Sequence, residues 1–253
     1  MVIFIHGMGN DPNIKYWERW AANLLPHLID LGMDPGAIDF GGVYYYDLVP
    51  QPGDGWKKIS SLFYRDVLRK MREDLRQRRI REELLELVGR GPVDGLVNLV
   101  VDSFGDIFSY LLDDKTYEQV NQRLYRTVEQ TAQPVTLVAY SLGSMVAFCA
   151  LQQNPQLDKQ VNHFITMGSP IFWFRRWLAR RTNLSRKPSS AHWTNLAGRL
   201  DVACPHLVGY TCQPDTHVEF LLDQYNPLKG HLSYISNVNG LKALAGAVAG
   251  VQK

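Results

Sequence analysis

The stretch from Val135 to Ala150, Val-Thr-Leu-Val-Ala-Tyr-Ser-Leu-Gly-Ser-Met-Val-Ala-Phe-Cys-Ala, constrains the fold of this chain more than any other part of it. It opens after Pro134 with a short apolar, β-branched run that reads as a buried strand, and it closes with small and apolar residues at helical spacing. Between the two lies Ala139-Tyr140-Ser141-Leu142-Gly143, a serine on a very tight turn from strand to helix. Such a turn strains the backbone at the serine and requires small residues two before and two after it. Ala139 and Gly143 meet that demand. The turn lifts the Ser141 hydroxyl above the sheet, and the helix N-terminus beneath points unpaired N–H groups toward any negative charge that develops there.

The pattern resembles the nucleophile elbow of the α/β-hydrolases, G-x-S-x-G, with Ala139 in place of the first glycine. By itself A-x-S-x-G also fits a buried serine at an ordinary strand–helix junction, so the other parts of the chain must carry weight. Val2-Ile3-Phe4-Ile5 is an apolar strand that runs into His6-Gly7-Met8-Gly9. Two glycines after a strand permit a tight loop with inward-facing N–H groups. The resemblance implies that such a His-Gly loop lends a backbone N–H to an oxyanion hole, here that of Met8, with Leu142 supplying the second. A plain turn or a phosphate loop is the alternative, but no Gly-Lys-Ser/Thr follows.

Further along, Tyr16 to Leu31 carries Trp17, Trp20, Leu24, Leu25 and Leu28 at helical spacing, with Gly32 as a C-terminal cap. Ile38 to Tyr46 reads as the second strand. Trp56 to Val88 is a long helical tract in which Arg65, Arg69, Arg72, Arg76 and Arg79 are interleaved with Asp66, Glu73, Asp74, Glu82 and Glu83. That mixture reads as a solvated face rather than a nucleic-acid surface. Leu96 to Leu112 is a more apolar helix, and Tyr117 to Thr131 an amphipathic one. The mostly helical insertion before the elbow exceeds an ordinary crossover, so a cap or lid over residues of about 53–131 is expected. After the elbow, strands are expected at 161–167, 192–200 and 217–222, and a small-residue helix at 241–248. The run 171–181, rich in aromatics and arginines, could sit at a lipid headgroup layer, but core packing suits it better.

Composition sets the outer limits. Over 253 residues the hydrophobic share is 45%, the charged share 21% and the formal net charge +2, which gives no global attraction to nucleic acid. Cys149, Cys204 and Cys212 are too few for a disulfide scaffold and fit reduced thiols. No signal peptide and no uncharged apolar span of membrane length is visible. The expected location is therefore cytoplasmic, with peripheral membrane contact left open.

A serine hydroxyl needs a neighbouring imidazole to take its proton, and a carboxylate to orient that imidazole. In the α/β-hydrolases these follow in the chain order serine, acid, histidine, each after a strand. On that order Ser141, Asp201 and His231 are the catalytic candidates. Asp215 and Asp223 compete for the acid and His206 and His217 for the base. Asp223 follows the strand that should supply the histidine, and His217 falls inside a strand. The likeness runs on through Gly105-Asp106, Tyr110-Leu111, Trp193-Thr194-Asn195 and His231-Leu232-Ser233-Tyr234. It is a likeness to stand-alone bacterial α/β-hydrolases on the esterase and lipase side of the superfamily, and residues 56–95 carry little of it.

What the resemblance implies is a single α/β domain over 1–253: a mostly parallel sheet flanked by helices, with a helical cap; as a departure from it, the two antiparallel strands that often precede such a sheet are expected to be missing. It further implies hydrolysis of a carboxylic ester, or of a lipid, through an acyl-enzyme. No metal or organic cofactor is required, and no spaced Cys/His ligand pairs occur. A thioesterase or acyltransferase would use the same residues, and a binding module on an inactive hydrolase fold is the reading from a different class.

Overall fold

The computed structural model describes residues 1–7, 12–49, 69–70, 73, 105–199, 201, 203–204, 212–222 and 230–250. Its strands are β1 (Val2–Ile5), β2 (Phe40–Val43), β3 (Val135–Tyr140), β4 (Val161–Met167), β5 (His192–Gly198) and β6 (Thr216–Phe220). They form one sheet in the order β2-β1-β3-β4-β5-β6, with every pairing parallel. A parallel sheet needs helices on both faces, so its strands are apolar on both. The all-apolar Val2-Ile3-Phe4-Ile5 is wholly buried for that reason.

The helices are α1 (Tyr16–Asp30), α2 (Gly105–Leu112), α3 (Asp114–Glu129), α4 (Leu142–Gln153), α5 (Pro155–Gln160), α6 (Ile171–Leu178) and α7 (Val238–Ala249). Alternate strand residues feed two cores. Ile3, Ile5, Leu137, Ala139, Phe164 and Trp193 pack under the layer that contains α2 to α6. Phe4, Val138, Ile165, Met167 and Leu196 pack under α1 and α7 on the opposite face. At roughly 25 cal/mol per Å² of apolar surface removed from water, these two cores are the main term holding the sheet.

Several boundaries differ from the periodicity. In α1 the buried residues are Tyr16, Ala21, Leu24 and Leu28, while Trp17 and Trp20 flank the core half-buried. The phenol of Tyr16 donates to the carbonyls of Phe4 and Val43 at 2.7 and 3.2 Å, which pins the helix start across two strands. The second strand, expected over 38–46, keeps only 40–43 in the ladder. Tyr45 N–H donates instead to His6 Nε2 at 3.1 Å, so the tyrosine run leaves the sheet. β5 stops at Gly198, whose carbonyl accepts Asp201 N–H at 3.0 Å in a closing turn. β6 spans Thr216–Phe220 rather than 217–222. α3 starts earlier than expected because Asp113 caps it, accepting from Thr116 N–H at 3.0 Å. Asn237 does the same for α7 through Asn239 N–H at 2.8 Å.

Of the insertion expected over 53–131, most lies outside the described residues. Its described helices α2 and α3 belong to the layer on the sheet, α3 packing against α4, α5 and β2. Within the arginine-rich tract, Arg69 pairs with Glu73 at 3.0 Å, and Arg176 reaches Glu73 at 3.5 Å. These half-exposed pairs each contribute less than about 1 kcal/mol. In the aromatic–arginine run, Ile171, Phe172, Trp173, Phe174, Arg175, Trp177 and Leu178 are all buried, so α6 packs into the core. Arg175 folds back over the Phe172 ring and donates to the Phe172 carbonyl. The three cysteines are free thiols. Among the described residues no helix is long and apolar enough to cross a membrane.

Candidate functional site

The chain leaves β1 toward β2 on one side, and it leaves β3 toward β4 on the other. The connections therefore diverge between β1 and β3, and at such a switch point a crevice opens beyond the C-terminal ends of the strands. Ile5 and Ala139 are register partners across this line. Two residues beyond each stand Gly7 and Ser141, so the loop after β1 lies directly against the serine.

Ser141 has φ 52° and ψ −122° and is the one non-glycine residue with positive φ among the described residues. That conformation costs on the order of 1–3 kcal/mol and persists only where its surroundings enforce it. Here Ser141 N–H donates to the Met167 carbonyl at 2.9 Å, and Ser144 Oγ donates to the Ser141 carbonyl at 2.6 Å. Gly143 lies so close to β1 that a Cβ there would be 2.5 Å from the His6 carbonyl oxygen and 2.7 Å from that of Ile5. Leu142 opens α4, and its N–H belongs to the first helical turn, which has no intrahelical acceptor. Met8 lies outside the described residues.

From Ser141 a hydrogen-bonded chain runs into the interior. His231 Nε2 is 3.0 Å from Ser141 Oγ, and His231 Nδ1 is 3.0 Å from Asp201 Oδ2. A carboxylate can only accept, so Nδ1 carries the proton and Nε2 is left to receive the serine hydroxyl. Asp201 Oδ1 accepts Ala203 N–H at 2.8 Å, and Oδ2 also accepts the Tyr234 phenol at 2.8 Å. All three residues are shielded, Ser141 and Asp201 being 1% exposed and His231 3%. The structure thus brings together Ser141, Asp201 and His231, which lie 30 to 90 residues apart in sequence.

The competing residues are engaged elsewhere. Asp215 accepts Lys187 Nζ at 2.6 Å and Trp193 N–H at 2.8 Å. His217 Nδ1 accepts from Asn195 Nδ2 at 3.0 Å, and its Nε2 faces Glu219 at 3.2 Å. His206 and Asp223 lie outside the described residues.

Three further residues contribute side-chain contacts that the motifs around them do not specify. Tyr140, the residue before the serine, donates to the His231 carbonyl at 2.6 Å and lies stacked on the imidazole, centroids 5.3 Å apart. Tyr234 closes the stretch His231-Leu232-Ser233-Tyr234, which marks the residue in the sequence but not its contact with Asp201. Burial, and then the Asp201 charge, push both phenols well above their ordinary pKa, so both stay protonated donors. His6 is the third. Its Nδ1 donates to the Gly7 carbonyl at 2.7 Å, while Nε2 accepts Tyr45 N–H, and together these require the neutral ring. Tyr45 and Tyr46 stack on it at 4.0 and 3.6 Å, and Tyr45 donates to the His6 carbonyl at 2.6 Å. The tyrosines that leave β2 therefore clamp the loop that faces Ser141.

A proton acceptor placed on a strained hydroxyl, beside a helix N-terminus, is an arrangement able to activate an oxygen nucleophile. Among the described residues no group of three or more His, Cys, Asp or Glu side chains is disposed to hold a metal ion. Comparison with known protein families finds no family that matches this chain, and comparison with curated proteins finds no match either.

Proposed function

We propose that this chain is a serine hydrolase of the α/β-hydrolase fold that cleaves a carboxylic ester through an acyl-enzyme intermediate. The observation that carries the reading is the unbroken chain from Ser141 Oγ through His231 to Asp201, beneath a serine held at positive φ at the switch point of the sheet. The strand order supports the fold, since the serine, acid and histidine follow β3, β5 and β6 in turn.

In the reaction, Ser141 Oγ attacks the carbonyl carbon while His231 Nε2 takes its proton. Asp201 holds the imidazole in the required tautomer and stabilises its cation. The tetrahedral oxyanion is received by the N–H groups of Leu142 and Met8, each donor of this kind being worth about 3–4 kcal/mol in the transition state. Collapse expels the alkoxide, which leaves as the alcohol with the proton returned from His231. Water, deprotonated by the same imidazole, then attacks the acyl-serine and releases the acid. A substrate with an apolar acyl or alkyl group is proposed.

The test is intact-mass detection of fluorophosphonate labelling of the wild type and of Ser141→Ala. One adduct on the wild type, absent from the variant, is expected. A folded wild type that takes no adduct and hydrolyses no p-nitrophenyl ester from acetate to octanoate would refute the reading.

A further inference from the structure

We infer that Tyr234 is a positioning residue that sets the proton affinity of the Asp201–His231 pair, because its phenol donates to the same carboxylate oxygen that holds His231 Nδ1. The direction of that bond is determined by its neighbours. Gly198 N–H lies 2.6 Å from the phenol oxygen and can only donate, so the oxygen accepts there. Its single proton is then committed to Asp201 Oδ2, 2.8 Å away. The backbone of β5 thereby orients the phenol, and the phenol orients the carboxylate.

The surroundings keep this contact close. Gly168, at φ +53°, ends β4 against all three side chains. A Cβ there would stand 3.0 Å from Asp201 Oδ2, 3.0 Å from Tyr234 Cε2 and 3.1 Å from His231 Cε1. A side chain at this position would press the acid, the phenol and the imidazole apart. Tyr234 is 1% exposed, so water does not compete for its proton.

The sign of the effect follows from the shared oxygen. A donor on Oδ2 withdraws negative charge from the atom that faces the imidazole, which weakens the pull of the carboxylate on a second imidazole proton. It also favours the ionised carboxylate itself. Removing the phenolic proton raises the proton affinity of the pair in either accounting. From the described elements, Asp201, Tyr140 and Tyr234 face the ring, and Cys204 faces the Tyr234 phenol. Tyr140 acts differently: it holds the backbone carbonyl of His231 and one face of the ring, and donates nothing to Asp201.

This inference rests on the proposed hydrolase reading for its kinetic arm, while a titration of the resting protein tests it without turnover. Tyr234→Phe is expected to move the acid limb of kcat/KM for p-nitrophenyl butyrate upward by about 0.5 to 1 unit, so that activity below the limb falls about 3- to 10-fold more than activity above it. The His231 imidazole, followed by 15N–1H NMR, is expected to titrate higher by the same amount. Tyr140→Phe is expected to lower the rate by one factor at every pH. Should Tyr234→Phe not fold, 3-fluorotyrosine at position 234, a more acidic phenol of nearly the same size, is expected to move the limb downward.

Parallel pH profiles together with an unmoved His231 titration would overturn the inference and leave Tyr234 a packing residue. A wild type that takes no fluorophosphonate would instead overturn the hydrolase reading, and the NMR titration would still decide the role of Tyr234.

Discussion

Replacing Gly143 by alanine puts the local demands of the serine turn to a quantitative test. The added methyl would lie 2.5 Å from the backbone oxygen of His6, just past β1, and 2.7 Å from that of Ile5 at its end, where real Cβ atoms essentially never come closer than 3.0 Å. Relief therefore requires relative movements of at least 0.5 and 0.3 Å against those oxygens. Neither oxygen can swing away like a side chain, because Ile5 is held in the ladders with β2 and β3 and the His6 oxygen accepts the Tyr45 phenol at 2.6 Å. Overpacking of a well-filled interior costs typically 1–3 kcal/mol, and a rigid backbone obstacle puts this case at the upper end, about 3 kcal/mol. For a domain of this size 1 kcal/mol corresponds to about 2–4 °C, so Gly143→Ala is expected to lower the Tm by about 6–12 °C. Because the displaced carbonyls are those of Ile5 and His6, the loop against Ser141 moves as well, and fluorophosphonate labelling of the folded variant should slow. Differential scanning calorimetry and labelling rates at a temperature below both transitions make the test. A Tm within about 2 °C of wild type, with labelling unchanged, would refute the close-approach argument.

Asp201→Asn is expected to preserve the fold and reduce ester turnover by about 10⁴-fold, since an amide can present its NH₂ to Nδ1 and stabilise the wrong tautomer; a loss under tenfold in steady-state assays would count against Asp201 as the orienting acid. His163, half-buried on β4 and 2.9 Å from Thr194 Oγ1, has its pKa lowered to about 4, chiefly by burial and then by His192. The unfolded chain then binds more protons than the native one between about pH 6.5 and 4, so this group's contribution is present above 6.5 and lost as pH falls. The Tm of His163→Gln should accordingly drop less than that of wild type between pH 7 and 4.5, and equal drops would contradict the assignment. Burial raises the phenols of Tyr16, Tyr45, Tyr110, Tyr140 and Tyr234 well above 10.0. Because the unfolded chain loses those protons first, stability falls as pH rises past about 10. Ultraviolet titration should then show a block of tyrosines that ionises only with unfolding, and smooth ionisation of every tyrosine in the native state would argue against it.

Legibility of the site in the sequence followed the range of the forces involved. The serine turn could be read because all its requirements are contiguous: an apolar run, a serine, small residues at fixed offsets and a helix. Asp201 and His231 were reachable through chain order after successive strands, and they converge on Ser141 at 3.0 Å per link. The contacts of the tyrosines are not legible, because nothing local specifies them. The contact of Tyr140 with His231 joins positions 91 apart, and that of Tyr45 with His6 joins positions 39 apart. The boundaries of β2 and β5 depart from the sequence pattern for a related reason. Apolar and aromatic residues kept the pattern of a strand going, while hydrogen bonds to His6 and Gly198 took the backbone out of the ladder.

Sequence by itself determined the class of fold, since runs buried on both faces and joined through helices admit only a parallel sheet with two covering layers. It also determined where the backbone would be strained, because only small neighbours permit the conformation of Ser141. Tertiary structure alone decided which hydroxyls complete the site. A hydrogen bond acts over about 3 Å and carries no trace of itself along the chain. Only the sheet register, which sets β1, β3, β4 and β5 side by side, brings the Tyr234 proton to Asp201 and Tyr45 to the loop facing the serine.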